Sequence, residues 1–210
     1  MAEILDFKKE YKQLYLPKNT PTLIEIPEMN FVSITGKGDP NDENGDYQKA
    51  IGLLYAISYT IKMSKKGQEI PDGYFDYVVP PLEGLWWTEK SDDLQSKSNY
   101  NWISMIRLPE FVDEKVFDWA CKEVAKKKKI ETDKAVFFPF KEGLCVQCMH
   151  IGSYDDEPKT FEQMNEFLDE NHLIKDLNVL WNHHEIYLSD PRKGDISKLK
   201  TVLRIPVKNQ

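Results

Sequence analysis

The chain lacks any apolar run approaching the roughly 18 residues that a membrane-spanning helix needs. Its first residues, Met1-Ala-Glu-Ile-Leu-Asp-Phe-Lys-Lys, lack the layout of a secretion signal. Basic residues are in deficit: 28 Lys and Arg stand against 35 Asp and Glu, a formal charge of −7. Backbone phosphates demand a basic surface, so this balance argues against a nucleic-acid partner. The one basic run, Lys126 to Lys129, ends a helix-like segment, where cations complement the dipole. Cysteine is scarce, and three residues, an odd number, suit a reducing cytoplasm. Cys145-Val-Gln-Cys148 with His150 behind it has redox or zinc spacing, but strand residues three apart point to opposite faces. There is no second Cys pair, and His172, His183 and His184 lack metal-ligand spacing. We read the cysteines as small buried residues and expect neither a metal nor a cofactor. No Gly-rich loop precedes a phosphate-binding helix, Gly36-Lys-Gly38 being too short, and no Gly-x-Ser-x-Gly elbow is present. Nucleotide enzymes and the common serine hydrolases drop off the front of the list.

What is there is aromatic and acidic. Aromatics make up 12% and charged residues 30% of 210 residues, a folded, soluble chain able to bury a full core. The segment Tyr77-Val-Val-Pro-Pro-Leu-Glu-Gly-Leu-Trp-Trp87 places two adjacent tryptophans and a glutamate on one strand. Neighbouring strand residues point to opposite faces, so one tryptophan packs in a core and the other lines a second apolar surface. Parity with Glu83 favours Trp87 for the second surface, and a one-residue slip in register reverses the choice. An aromatic wall with an acid suits a flat, apolar or cationic small molecule; a doubly covered strand with Glu83 at its wet end is the bland alternative.

Along the chain, Phe7–Leu16 reads as a short helix. Thr22–Ile26 and Phe31–Thr35 read as strands joined by a Pro-Glu-Met-Asn turn. Tyr47, Ala50, Ile51, Leu54, Ser58 and Ile61 fall at helical spacing, and Gly67 ends that helix. Strands over Phe75–Val79 and Leu82–Thr88 flank Pro80-Pro81. A polar turn over Asp92–Asn99, a strand over Tyr100–Leu108 and a helix over Glu110–Lys129 follow. A strand over Leu144–Ile151, a helix over Thr160–Glu170 and strands over Glu185–Ser189 and Thr201–Val207 repeat the order, with Pro191 and Gly194 in the last loop. The expected fold is α+β: a duplicated strand–helix–strand–strand unit forming one antiparallel sheet, with both helices on one face and a ligand groove between the halves.

In His183-His-Glu-Ile-Tyr-Leu-Ser-Asp190, Ile186 and Leu188 mark one face, and Glu185 and Tyr187 share the other, beside that groove. A carboxylate among aromatics is poorly solvated, which raises its pKa and suits a general base; a counter-ion for a cation or an exposed edge acid are the alternatives. In Asp155-Asp-Glu-Pro158, proline marks a helix start, and capping by Glu157 or Asp156 is the better single explanation. Tyr154 stands where its hydroxyl reaches the groove rim.

Four segments in order carry a resemblance. They are Tyr77 to Trp87, Asn101-Trp-Ile-Ser-Met-Ile-Arg-Leu-Pro-Glu-Phe-Val112, His150-Ile-Gly-Ser-Tyr-Asp-Asp-Glu-Pro158 and His184-Glu-Ile-Tyr-Leu-Ser-Asp-Pro-Arg192. Together they resemble the GyrI-like small-molecule-binding proteins, stand-alone relatives of the effector-binding domains of AraC- and MerR-type regulators. The resemblance covers nearly all of the chain from about residue 20 and implies a single domain over 1–210. Its halves lie at about 20–108 and 144–207, with a connecting helix at about 110–129. It implies a groove at a pseudo-two-fold axis, with Glu185 as central acid and Trp87, Trp102 and Tyr154 or Tyr187 as walls. Residues 1–20 are too short for the DNA-binding helix pair of the regulators, so a transcription factor is not expected.

Members of the stand-alone branch hydrolyse cyclopropane-bearing DNA-alkylating compounds. By resemblance, Glu185 orients water onto the strained ring. Glu157 or a tyrosine hydroxyl supplies the proton to the conjugated carbonyl, and tryptophan walls hold the flat substrate. The expected partners are bulky aromatic or cationic small molecules. Two other readings stand beside hydrolysis: a binding module that sequesters such ligands unchanged, and a protein that contacts a DNA topoisomerase.

Overall fold

Alternating apolar and charged residues near the N-terminus form a short strand and two single-turn helices, β1 (Leu5–Asp6), α1 (Phe7–Glu10) and α2 (Lys12–Tyr15). The order continues β2 (Thr22–Lys37), α3 (Asp46–Met63), β3 (Tyr77–Val78), β4 (Leu82–Trp87), β5 (Asn101–Arg107) and α4 (Glu114–Lys128). It ends β6 (Val136–Ile151), α5 (Glu157–Glu170), β7 (Leu173–Lys175), β8 (His183–Tyr187) and β9 (Lys200–Asn209). This computed structural model describes residues 4–67, 70–89, 97–176, 179–190, 192 and 194–210. The polar turn expected over Asp92–Asn99 lies outside the described residues up to position 96, and so does Pro191.

The antiparallel sheet closes into a barrel where an open sheet was expected. Its strands run β6-β2-β5-β4-β8-β9, and β9 pairs back to β6. Closure is possible because β6 is 16 residues long. Its Val136–Gln147 portion pairs with β2, while Cys145–Ile151 pairs with β9. The element order repeats as β2-α3-β4-β5 and β6-α5-β8-β9, and equivalent strands meet, β2 with β6 and β4 with β8.

The Pro-Glu-Met-Asn segment is no turn. β2 runs through it and stays in register with β6 from Thr22 opposite Gln147 to Ser33 opposite Val136. Pro27, which has no N–H to donate, is the one position skipped. Nearby on the partner strand, Gly143 takes φ +77, a conformation that only glycine adopts without strain. The apolar face changes parity across this corner, from Ile24 and Ile26 to Met29 and Phe31. Pro80-Pro81 acts in the same way. It separates β3, which pairs in parallel with β1 in a small second sheet, from β4.

Two apolar faces follow from the period of two along each strand. On the outer face, Ala50, Leu54, Ile57 and Ile61 of α3 pack with Val32, Ile34, Trp102 and Ile106, and Phe117, Ala120 and Val124 of α4 join them. Met164 and Leu168 of α5 cover Val146, Cys148, Leu203 and Ile205. Phe31, Leu85, Met105, Cys145, Ile186 and Val202 fill the lumen, with Phe7, Leu14 and Tyr15 packed against them. Cys145 and Cys148 therefore face opposite sides. Helix α4 starts at Glu114 rather than Glu110 because Asp113 caps it, its carboxylate accepting the Val116 N–H at 2.9 Å.

Candidate functional site

The outer face of β4, β5 and β8 is where acids and aromatics meet. In the ladder Gly84 stands opposite both Glu185 and Ser104, and Trp86 opposite both His183 and Trp102. Glycine at 84 is needed here, since a Cβ would lie 2.7 Å from Trp86 Nε1 and 3.3 Å from the Tyr187 hydroxyl oxygen. A Cβ at Gly36 would meet the Trp102 ring at 2.3 Å. The Trp86 indole N–H donates to the Tyr187 hydroxyl at 2.9 Å. Tyr47, on the first turn of α3, packs against Trp86 and Trp102 with ring centroids 5.3 and 5.2 Å away. Tyr100 meets Trp86 edge-on, and Tyr154 meets Tyr187 edge-on at 5.9 Å.

Glu185 is nine-tenths buried on this face. His183 Nε2 lies 2.8 Å from its Oε1, and the His183 ring rests edge-on against Phe161 of α5 at 5.0 Å. The Glu185 charge acts on its surroundings. Burial first, then this charge, raises the Tyr187 hydroxyl well above its ordinary value and pushes Tyr154 up to about 12.

Glu157 is the first residue of α5 and is buried, with one carboxyl oxygen lacking any hydrogen-bond partner among the described residues. A helix N-terminus favours a carboxylate. Burial outweighs that here and, with the charges of Glu185 and Asp155, pushes Glu157 up to about 9. At neutral pH Glu157 is a carboxylic acid able to donate. Of the two candidates for the cap, Asp156 holds the position, though its side chain makes no capping bond, and Pro158 is the second helical residue.

His150 sets the turn that delivers Tyr154 and Glu157. Its Nε2 lies 2.9 Å from the Ser153 carbonyl, which can only accept, so Nε2 carries the proton. Nδ1 then accepts from the Thr160 hydroxyl at 2.9 Å, tying the turn to α5.

The structure brings Glu185, Glu157, Tyr154 and Tyr187 to one face. Trp102 shares that face but is 1% exposed, beneath Tyr47. Glu83 and Trp87 do share parity, but theirs is the luminal face, whereas Trp86 points to the outer face with Tyr187. Glu83 is 1% exposed and lies 3.0 Å from His184 Nε2, while the Tyr15 hydroxyl donates to it at 3.4 Å. His184 also meets Glu142 at 3.0 Å, and Glu142 meets Arg204 at 3.3 Å, a charge-balanced set of two acids and two bases. Sequence reasoning missed Trp86, Tyr47, Tyr100, His183 and Phe161, which the structure gathers around Glu185 and Tyr187. Tyr47 was visible only as one apolar position of a helix, and Trp86 was lost to the choice of face.

The antiparallel barrel thus carries a cluster of acids and aromatics on its outer face. The chain belongs to the GyrI-like family: the pattern of the GyrI-like small molecule binding domain matches residues 19–208. Among solved structures it is similar to an uncharacterized conserved protein from Listeria innocua, at 48% identity and TM-score 0.92 over 97% of this chain and 100% of that one. It is also similar to a protein described as a hydrolase from Listeria innocua, at 49% identity and TM-score 0.89 over 98% and 100%. The EcmrR C-terminal domain, at 16% identity and TM-score 0.54 over 91% and 98%, is alike in fold alone. No curated protein matches the sequence. No helix among the described residues is long and apolar enough to cross a membrane.

Proposed function

We propose that the groove binds flat aromatic electrophiles and hydrolyses those that carry a cyclopropane conjugated to a carbonyl. The observation that carries this reading is the burial of two carboxyl groups, Glu157 at the start of α5 and Glu185 on β8, among aromatic side chains; burial and the Glu185 charge push Glu157 up to about 9. General acid–base catalysis needs such a pair. Glu185, oriented by His183, draws a proton from water as the oxygen attacks the ring methylene. The strained C–C bond breaks, its electrons pass to the conjugated carbonyl, and the carbonyl oxygen accepts the Glu157 proton as the product ring becomes aromatic. Water is consumed, and the proton taken by Glu185 is returned to Glu157 through solvent. The half-buried rings of Tyr154 and Tyr187, backed by the buried Trp86, hold the substrate plane. The description of a 49% identical relative as a hydrolase supports the reaction class. Three free cysteines support a cytoplasmic setting.

Mass spectrometry of a cyclopropane-bearing alkylator incubated with the protein tests the reading. We expect a water-added product with the wild type and none with Glu185→Gln. Full turnover by Glu185→Gln removes the proposed base. Intact compound with quenched tryptophan fluorescence from both proteins favours binding without chemistry.

A further inference from the structure

We propose that a cavity between the N-terminal segment and β2 binds an unbranched alkyl monocarboxylate, with the carboxylate on Arg107 and the chain along an aliphatic wall. The site is separate from the outer face described above and does not rest on the hydrolytic reading.

The cavity has a volume of about 560 Å³. That lies within the range of about 300–1,000 Å³ that holds small ligands. It opens on the luminal side of the sheet, and neither Glu157 nor Glu185 lines it. Its apolar lining is Leu14, Leu16, Leu23, Ile24, Met29 and two prolines, with Tyr11 as the one aromatic ring. Such walls offer little ring face for stacking and suit a thin, flexible chain. Leu16 and Leu23 are 46% and 48% exposed, so a chain laid across them removes apolar surface from water.

Buried polar groups fix the N-terminal wall in place. Gln147 Nε2 donates to the Gln13 carbonyl at 2.8 Å, and Arg204 Nη2 to the Leu14 carbonyl at 2.5 Å. The Met149 N–H donates to the Lys18 carbonyl at 2.9 Å. A wall held in this way costs little ordering when a ligand arrives.

Arg107 lines the cavity and is 5% exposed. Its guanidinium carbon lies 4.7 and 4.4 Å from the ring centroids of Phe7 and Tyr11. Nη2 donates to the half-exposed Glu110 at 2.9 Å, while Nε and Nη1 hydrogen-bond to nothing among the described residues. The neighbouring Tyr15 hydroxyl turns instead to Glu83 at 3.4 Å. The idle donors flank Nη2, so a carboxylate that takes Nη2 from Glu110 completes a two-bond fork with the donor beside it. The other charged lining residues, Lys18 and Glu25, are exposed and cancel, which leaves the single charge of Arg107 and selects a monoanion.

Isothermal titration calorimetry with octanoate tests the site, with 1-octanol and octylammonium as neutral and cationic controls. We expect one octanoate per chain, and both controls weaker by about tenfold or more, the worth of a charge-assisted hydrogen bond. Arg107→Met loses octanoate affinity to a similar extent. Leu23→Glu, which adds an acid to the lining, weakens binding, and Glu110→Gln, which frees Nη2, strengthens it several-fold. Bound octanoate slows amide hydrogen exchange in residues 11–18 and leaves His183–Tyr187 unchanged. Octanol bound as tightly as octanoate, no saturable octanoate binding, or slowed exchange at His183–Tyr187 alone overturns the proposal. If Arg107→Met fails to fold by circular dichroism, octanoate affinity unchanged in both Glu110→Gln and Leu23→Glu overturns it as well.

Discussion

Gly84 stands directly opposite Glu185 between β4 and β8, and the side chain it lacks leaves the room in which Trp86 and Tyr187 meet. Gly84→Ala places a methyl 2.7 Å from Trp86 Nε1. The Trp86–Tyr187 hydrogen bond breaks as the indole shifts. We expect a loss of about 1–3 kcal/mol in urea unfolding, the range for overpacking. The near-UV circular dichroism of the tryptophans changes with it, and an unchanged spectrum would contradict the contact.

Glu157→Gln trades function for stability. The folded carboxyl titrates at about 9 against 4.5 when unfolded. The unfolded chain thus ionises first, and the wild type loses stability as pH rises from about 4.5 to about 9. Glutamine removes that penalty. We expect the variant to be more stable at neutral pH by on the order of 1–3 kcal/mol, with the difference vanishing in acid. Equal stability at all pH values would mean that Glu157 is already ionised.

The two adjacent tryptophans part company on ligand binding. Trp86→Phe abolishes most of the fluorescence quenching that an aromatic ligand produces, whereas Trp87→Phe leaves it intact. Trp86 faces Tyr47, Tyr100 and Tyr187, and Trp87 shares the luminal parity of Glu83. The reverse outcome would place the ligand elsewhere.

In the lumen, Glu83→Gln leaves His184 with one carboxylate fewer. Breaking a buried pair costs about 3–5 kcal/mol, read as a lower urea midpoint, while ligand binding in the groove stays within a few-fold of wild type. Burial alone would lower His184, but the charges and hydrogen bonds of Glu142 and Glu83 together raise it to about 9. Its stabilising contribution is full below the unfolded value of 6.5 and is lost as pH rises to about 9. His184→Gln removes that component of the pH profile, and a profile unchanged by the substitution would refute the charged imidazole.

Much of this protein was legible in the chain. Alternation along Glu185-Ile186-Tyr187 separates acid from apolar side, the three-residue step puts Cys145 and Cys148 on opposite faces, and the repeated element order sets the two halves. These are properties of a two-residue or a helical period, and they need no knowledge of what lies across the sheet. A period of two defines two faces without naming which one is inside. Only closure of β6 onto β9 decided that Glu83 and Trp87 look into a lumen and that Gly84, Trp86 and Glu185 look outward. Likewise Pro27 announced a turn, and its long-range ladder with β6 turned it into a corner. The proton on Glu157 belongs to the same class, because local position at a helix start favours its loss, and burial against Glu185 from a distant strand retains it.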